Sequence, residues 1–333
     1  MRAMVLEHNA PIEQSPLKLT ELPEPVPVGK QVRIRVSCCA ICRTDLHVIE
    51  AELAPHKLPI VPGHQIVGTI DRLGDGARRF KIGQRVGAAW LAHTCGQCRF
   101  CRSGQENLCE RQRFTGWDID GGFAEYALAD EAFVYPIPDG FDDLHAAPLL
   151  CAGIVGYRAY KRSRLPRGGR LAIYGFGSSA HVIIQIALHQ GARVMVVSRE
   201  PRHQDLALRL GAAWAGPDAA SMPEPADSAI LFAPAGELVP VALEHLDKGG
   251  TLSLAGIHMS DIPPLNYQRH LFGERTITST TANCRTDGQE LLEQAAQVPV
   301  VAHIVQYRLE WANQALADLK HDKLTGTAVL AVR

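Results

Sequence analysis

Two periodicities divide the chain. Up to about residue 150, short runs alternate apolar and polar positions between Gly and Pro residues. The stretch VRIRV (32–36) puts Val32, Ile34 and Val36 on one face, the period of a half-buried strand. IVGTIDRLG (66–74), GQRVGAAWL (83–91) and GGFAEYALA (121–129) continue in that style. Together they predict a partly closed antiparallel β domain.

From about residue 168 the texture changes. GRLAIYGFG (169–177) reads as a buried strand running into a Gly turn, and SSAHVIIQIALHQGA (178–192) has helical spacing with a Gly stop. RVMVVSRE (193–200) and RHQDLALRLGA (202–212) repeat the pair. DSAILFAP (227–234), the helix ELVPVALEHLDKGG (237–250) and the strand TLSLAGI (251–257) repeat it again, after a Pro-rich loop, MPEPADS (222–228). Near-continuous apolar strands alternating with helices predict a doubly wound parallel sheet, so the fold class is α/β. QELLEQAAQ (289–297) and WANQALADLK (311–320) are amphipathic helices, and TGTAVLAVR (325–333) is a last strand.

At 333 residues the chain is long enough for two domains. Hydrophobic residues make up 46% and charged ones 21%, which excludes a disordered chain. A net charge of −1 gives no field to draw nucleic acid or anionic lipid. Charges interrupt the apolar run of MRAMVLEHNAPIEQSP (1–16), unlike a secretory signal. No apolar stretch reaches the roughly 18–20 residues that span a bilayer. These features predict a cytoplasmic protein without a nucleic-acid or membrane partner.

Nine cysteines are then best read as metal ligands or reactive groups rather than disulfides. Cys95, Cys98, Cys101 and Cys109 follow one another with two, two and seven residues between them. Four thiolates so close can close a tetrahedral shell around Zn²⁺, which leaves no open position and holds structure. Spacing alone leaves an iron–sulfur cluster open as the alternative.

In YGFGSSAHV, Gly175-Phe176-Gly177 turns between strand and helix and is followed by Ser178, Ser179 and the small Ala180. This is a dinucleotide fingerprint: one glycine for the tight turn, the second for close approach of a pyrophosphate, and helix amides facing the anion. The next strand ends in Ser198-Arg199, with Arg202 nearby, where an acid would hold the adenosine ribose hydroxyls. A guanidinium there suits a 2′-phosphate, so NADP(H) is expected ahead of NAD(H).

Three further stretches, CAICRTDLHVIE (39–50), PGHQIVG (62–68) and APLLCAGIVGY (147–157), complete a resemblance along nearly the whole chain. With FTGWDIDGGFAEY (114–126), the sequence resembles the zinc-dependent medium-chain alcohol dehydrogenases of the bacterial and yeast-like type. The resemblance implies a GroES-like catalytic domain over 1–152, with a structural zinc lobe near 93–111. It implies a Rossmann domain over 153–282 and a C-terminal return, 283–333, to the catalytic domain. It also implies a catalytic zinc held by Cys42, His64 and Cys151, three ligands that leave a fourth position for substrate. Read singly, Cys42 could be a buried thiol and His64 a turn histidine.

By the same resemblance, Thr44 accepts the alcohol proton and passes it through the cofactor ribose to His47 at the surface. Asp45 fits a carboxylate that orients the metal-bound His64, and Arg43 matches a position near the cofactor pyrophosphate. Trp90 and Trp117 match positions lining the substrate cleft, although either could be core. Gln65 stands where the family usually has Glu, Val155 where relatives often have Thr, and Thr327 where many carry a basic residue. Cys38, Cys39 and Cys284 match no ligand position and read as small buried residues. The implied activity is reversible hydride transfer between a primary aliphatic or aromatic alcohol and NADP(H) or NAD(H), with two zincs per chain and a tetramer or dimer as the assembly. A specialised dehydrogenase of polyols, sugars, bicyclic or secondary alcohols is the enzymatic alternative. A binding relative without turnover is the third reading, and it predicts missing ligands.

Overall fold

The computed structural model describes residues 1–256, 259–298 and 300–333. It divides into one unit of Met1–Ala152, Cys284–Ala296 and Val301–Arg333, and a second of Gly153–Asn283 with Gln297–Val300.

In the first unit the strand Gln31–Ala40 is the centre of a seven-stranded sheet. Its alternation buries Val32, Ile34 and Val36 completely. Arg33 faces the other way, clamped on both oxygens of Asp71 and covered by the Tyr126 ring. Antiparallel partners are Gln65–Leu73 on one side and Thr327–Ala331 on the other, with Tyr126–Asp130 also pairing along its first half. Arg85–Ala88 and Val134–Pro136 extend the sheet one way, and Ile304–Arg308, parallel to Thr327–Ala331, ends it the other way.

The register places the metal-ligand candidates. Cys38 pairs with Val67, Cys39 with Ile66 and Ala40 with Gln65. One step or two beyond that ladder, the two chains reach Cys42 and His64 at the same end of the sheet. Gly63 makes the turn before His64 possible. Its φ is +95°, and a Cβ there would lie 2.3 Å from a Phe123 ring carbon. The reading of a strand over 121–129 overshoots at its start. Gly121, Gly122 and Phe123 instead donate their amides to Val61, Gly63 and Pro62, buttressing the His64 turn, and the strand starts at Tyr126.

The second unit is a six-stranded parallel sheet. In spatial order its strands are Trp214–Gly216, Arg193–Val197, Arg170–Tyr174, Ala226–Leu231, Leu246–Leu254 and Thr276–Ser279. Numbered within the unit this is 3-2-1-4-5-6, the doubly wound order whose direction reverses at the first strand. Leu171, Ile173, Tyr174, Val194 and Val196 are all fully buried, as a sheet covered on both faces requires. Arg170 ties the first strand to its neighbour, donating its backbone amide and guanidinium to Asp227.

The edge strands Trp214–Gly216 and Thr276–Ser279 are additions to the sequence reading, the strands read over 193–200 and 227–234 stop at Val197 and Leu231, and two further boundaries move. The helix expected over 237–250 ends at Glu244, because Leu246 pairs with Ala226 and Gly249-Gly250 disfavour helix, Gly249 turning at φ +75°. The Pro-rich loop gives way to strand at Ala226 for the same reason. Ile257, the end of the predicted strand 251–257, lies outside the described residues. No helix among the described residues is long and apolar enough to cross a membrane.

Candidate metal centres and nucleotide site

Cys42 caps the helix Arg43–Ile49. Its sulfur accepts from the Thr44 amide, while its own amide donates to Asp45 Oδ2 at 2.9 Å. This reciprocal box starts a helix that buries Leu46, Val48 and Ile49. Cys42 Sγ lies 3.3 Å from His64 Nε2 and 3.9 Å from Cys151 Sγ, and the three donor atoms lie within 4.8 Å of one another. A tetrahedral ion with bonds of about 2.3 Å to sulfur and 2.0–2.1 Å to nitrogen sets its ligands about 3.5–3.8 Å apart. The donor set and spacing therefore fit zinc.

The protons agree. His64 Nδ1 lies 3.0 Å from Asp45 Oδ1, which leaves Nε2 as the donor atom toward the sulfurs. Burial alone would keep the His64 ring neutral, but Asp45 and Cys42 outweigh it and push its pKa up to about 10. The Cys151 hydrogen bond holds the Cys42 thiol well below its ordinary range and raises that of Cys151. With no cation between them the imidazole keeps a proton on Nε2 as well and only one sulfur carries charge; a divalent ion displaces that proton and lets both sulfurs ionise.

Next to His64 in the chain, the Gln65 side chain is fully buried, and neither its Oε1 nor its Nε2 has a partner among the described residues. Thr44 is buried and His47 is half-buried, three residues apart on one face of their helix. His47 Nδ1 contacts Glu52. Arg43 is exposed and pairs with Asp322 at 2.7 Å.

Trp90 meets the His64 ring edge-on at 4.9 Å and stacks on Phe114 at 4.8 Å. Trp117 lies 5.9 Å from Trp90 with the rings only 10° apart. Both tryptophans are half-buried, so neither is plain core. The sequence reading missed Phe114 and His56 in this cluster, although Phe114 stands only three residues before Trp117.

The four cysteine sulfurs of the lobe also lie within 4.8 Å of one another. The strands Leu91–His93 and Arg113–Phe114 pair at its base. Amides of Cys98, Cys95 and Arg111 donate to the sulfurs of Cys95 and Cys109 at 3.3–3.4 Å. Amide donation from Gln97 and Cys98 draws Cys95 down to about 6, while burial and neighbouring sulfurs push Cys101 up to about 11. Such short separations fit a single ion; a cluster of several irons and sulfides would spread its thiolates wider. Arg285 anchors the lobe through both oxygens of Glu106, and the Cys284 thiol donates to Asn107 Oδ1. Sequence spacing gave no hint of these contacts. Cys38, Cys39 and Cys284 are buried, as expected.

In the second unit Gly175 has φ +85°, and a Cβ there would lie 2.8 Å from the Ala233 amide. Gly177 is different, because a Cβ would meet nothing within 4 Å. Open space above that glycine, at the start of the helix Ser178–His189, is what an approaching pyrophosphate needs. Ala180 is fully buried. Phe176 is buried against His181, so only its backbone can face a ligand. Ser198 follows the strand Arg193–Val197, and Arg199 and Arg202 are exposed. The first carboxylate beyond, Glu200, is exposed and stands at the residue before the next helix, Pro201–Arg209.

A parallel nucleotide-binding sheet in one unit and a thiolate–imidazole trio in the other define a metal-dependent dehydrogenase. Residues 29–139 match the alcohol dehydrogenase GroES-like domain family, and residues 180–297 match the zinc-binding dehydrogenase family. A probable alcohol dehydrogenase AdhA of Mycobacterium tuberculosis is 48% identical, over 100% of this chain and 97% of its own length. Among solved structures, a cinnamyl alcohol dehydrogenase of Sorghum bicolor is 28% identical with a TM-score of 0.89, over 99% and 97% of the two chains. A Helicobacter pylori enzyme described as CAD, complexed with NADP(H), is 25% identical with a TM-score of 0.87, over 99% of each. The chain belongs to the zinc-dependent medium-chain alcohol dehydrogenase family. It is an oxidoreductase that works on alcohols with a nicotinamide cofactor.

Proposed function

We infer that the enzyme moves hydride reversibly between primary aliphatic or aromatic alcohols and NADP(H), using two zincs per chain. The observation that carries this is the convergence of Cys42, His64 and Cys151 donors with Asp45 on the far side of the imidazole. In this reading those three residues hold the catalytic zinc, and Cys95, Cys98, Cys101 and Cys109 hold a structural one. Zinc supplies a Lewis acid for the alcohol oxygen, and the nicotinamide supplies the hydride acceptor.

The chain's own residues do the rest. Thr44 accepts the alcohol proton, and His47, one turn on, gives the proton an outlet near the surface. Trp90 and Trp117 form an apolar surface beside His64, which favours aliphatic and aromatic alcohols over polyols. Gly177 and the amides of Ser178, Ser179 and Ala180 bind the pyrophosphate, a role that the resemblance also gives to Arg43. Ser198, Arg199 and Arg202 bind the 2′-phosphate, supported by the missing acid at the strand end. We further infer a catalytic domain of 1–152 with 283–333, a cofactor domain of 153–282, a homo-oligomer (tetramer or dimer), and work in the cytoplasm.

A panel of primary alcohols, polyols and aldehydes, run with each cofactor on zinc-loaded protein, tests this reading. Turnover of primary alcohols and aryl aldehydes with NADP(H) is expected; turnover confined to polyols, or an NADH preference, overturns it.

A further inference from the structure

Beyond the aromatic cluster, an exposed loop over residues 51–59 lies against the segment 114–120. Three polar ties join them. Trp117 Nε1 donates to Ala54 O at 3.0 Å, His56 Nδ1 lies 2.8 Å from Asp118 Oδ1, and Lys57 pairs with Asp120 at 2.6 Å. The His56 imidazole also lies on Trp117, with ring centroids 3.9 Å apart and planes 19° apart. Asp118 is itself fixed, because its Oδ2 accepts from the Phe114 amide at 2.7 Å.

We propose that His56 is a positioning residue that sets the plane of Trp117 and thereby selects ring-bearing alcohols and aldehydes over short aliphatic ones. The proposal rests on the reading that Trp90 and Trp117 line the place of the alcohol.

The hydrogen bond to Ala54 holds one edge of the Trp117 indole and leaves the ring free to pivot about that edge. Face contacts fix its plane; Phe114 and Trp90 stack with it at 5.7 and 5.9 Å, and the imidazole, at 3.9 Å, is the nearest ring. The imidazole supplies such a contact at van der Waals distance, and it cannot swing away while Asp118 holds Nδ1. The result is the near-parallel pair of indoles, 10° apart, with Phe114 beside them and Trp90 against His64. A flat conjugated ring gains offset stacking only against rings whose planes are set. A short aliphatic chain gains contact area whatever the tilt. The sequence reason is local: among its loop neighbours Leu53, Ala54, Pro55, Lys57 and Leu58, only His56 carries a flat ring that a carboxylate can orient.

Full-length His56→Ala and His56→Phe enzymes, zinc-loaded, test this with cinnamyl and benzyl alcohol against ethanol and 1-butanol. In His56→Ala, KM for the ring-bearing alcohols rises about three- to tenfold, the scale of one aromatic contact. Its kcat stays within about twofold, and KM for the aliphatic alcohols is unchanged. His56→Phe, which keeps the flat face without the Asp118 bond, restores most of the selectivity. The near-UV circular dichroism of the indoles weakens in His56→Ala and returns in His56→Phe. Equal loss for both substrate classes, or unchanged selectivity in His56→Ala, overturns the proposal. Trp117→Ala separates the two ideas. If it leaves KM for ring-bearing alcohols unchanged, the aromatic surface is not the substrate's place. If it raises that KM while His56→Ala does not, only the role of His56 is lost.

Discussion

Asp45 Oδ1 and His64 Nδ1 lie 3.0 Å apart in a site sealed from solvent on both side chains. The same carboxylate receives the Cys42 amide on its other oxygen, so one residue orients two of the three candidate ligands.

Asp45→Asn keeps the shape of this support and removes its charge. Zinc affinity at the trio is expected to fall about 10- to 100-fold, the usual cost of losing such a partner. Competition with a chromogenic chelator reads it directly. The lobe zinc, held by four separate thiolates, should be retained. A variant that keeps both ions as tightly as the parent would show that Asp45 only caps its helix.

Gln65 gives a second test, because its buried amide has no partner among the described residues. Gln65→Leu should unfold no earlier than the parent in the metal-free state, since removing both halves of an unmet need is near neutral. Gln65→Glu should be destabilised in that state by about 3 kcal/mol or more, the scale of an uncompensated buried charge. Zinc should then recover much of the loss. Thermal scans with and without chelator compare the three; an early-melting Gln65→Leu would mean that the amide has a partner after all.

For the cofactor, Arg199→Ala should lower kcat/KM for NADPH by about 10- to 100-fold, the worth of a charge-assisted contact to phosphate. The value for NADH should hardly move. Steady-state kinetics with both cofactors suffices, and a parent enzyme that already prefers NADH would end the argument.

Stability of the nucleotide-binding unit should depend on pH through Asp227. Hydrogen bonds from Arg170 hold its carboxyl below the ordinary value of 3.8, against the opposing effect of burial. A depressed carboxyl stabilises the fold above its unfolded pKa, and the contribution disappears as pH falls through the folded value. Asp227→Asn should therefore lose about 1–2 kcal/mol at neutral pH. The gap in urea midpoints between parent and variant should narrow progressively as pH falls below about 5 and close only below the folded value; a gap that does not narrow with acid would rule this pair out as the source.

Four strands of the nucleotide-binding sheet were legible as short apolar runs, the first closing on the Gly turn at Leu171–Gly177; its edge strands Trp214–Gly216 and Thr276–Ser279, three and four residues long, carry too little pattern and were not read. Its one misjudged helix ran too far because Leu246 continues the apolar spacing but belongs to a strand. The candidate trio came to notice only through the resemblance. Its members stand at 42, 64 and 151, and what joins Cys42 to His64 is the pairing of Ala40 with Gln65, a register no local pattern announces. The bond of Arg285 to Glu106 and the stack of His56 on Trp117 were invisible for a similar reason. An exposed histidine between Pro55 and Lys57 carries no periodicity, and its meaning lies wholly in what folds against it.

The position of the strand Thr327–Ala331, between Gln31–Ala40 and Ile304–Arg308, has a consequence for biosynthesis. The nucleotide-binding sheet can close once Thr276–Ser279 has left the ribosome, because all six of its strands are contiguous in the chain. The sheet that carries Cys42 and His64 must wait, with the Cys38–Ala40 end of its central strand open, until Thr327–Ala331 has been made. Translation thus delivers a finished cofactor unit before the unit that holds the trio can be completed.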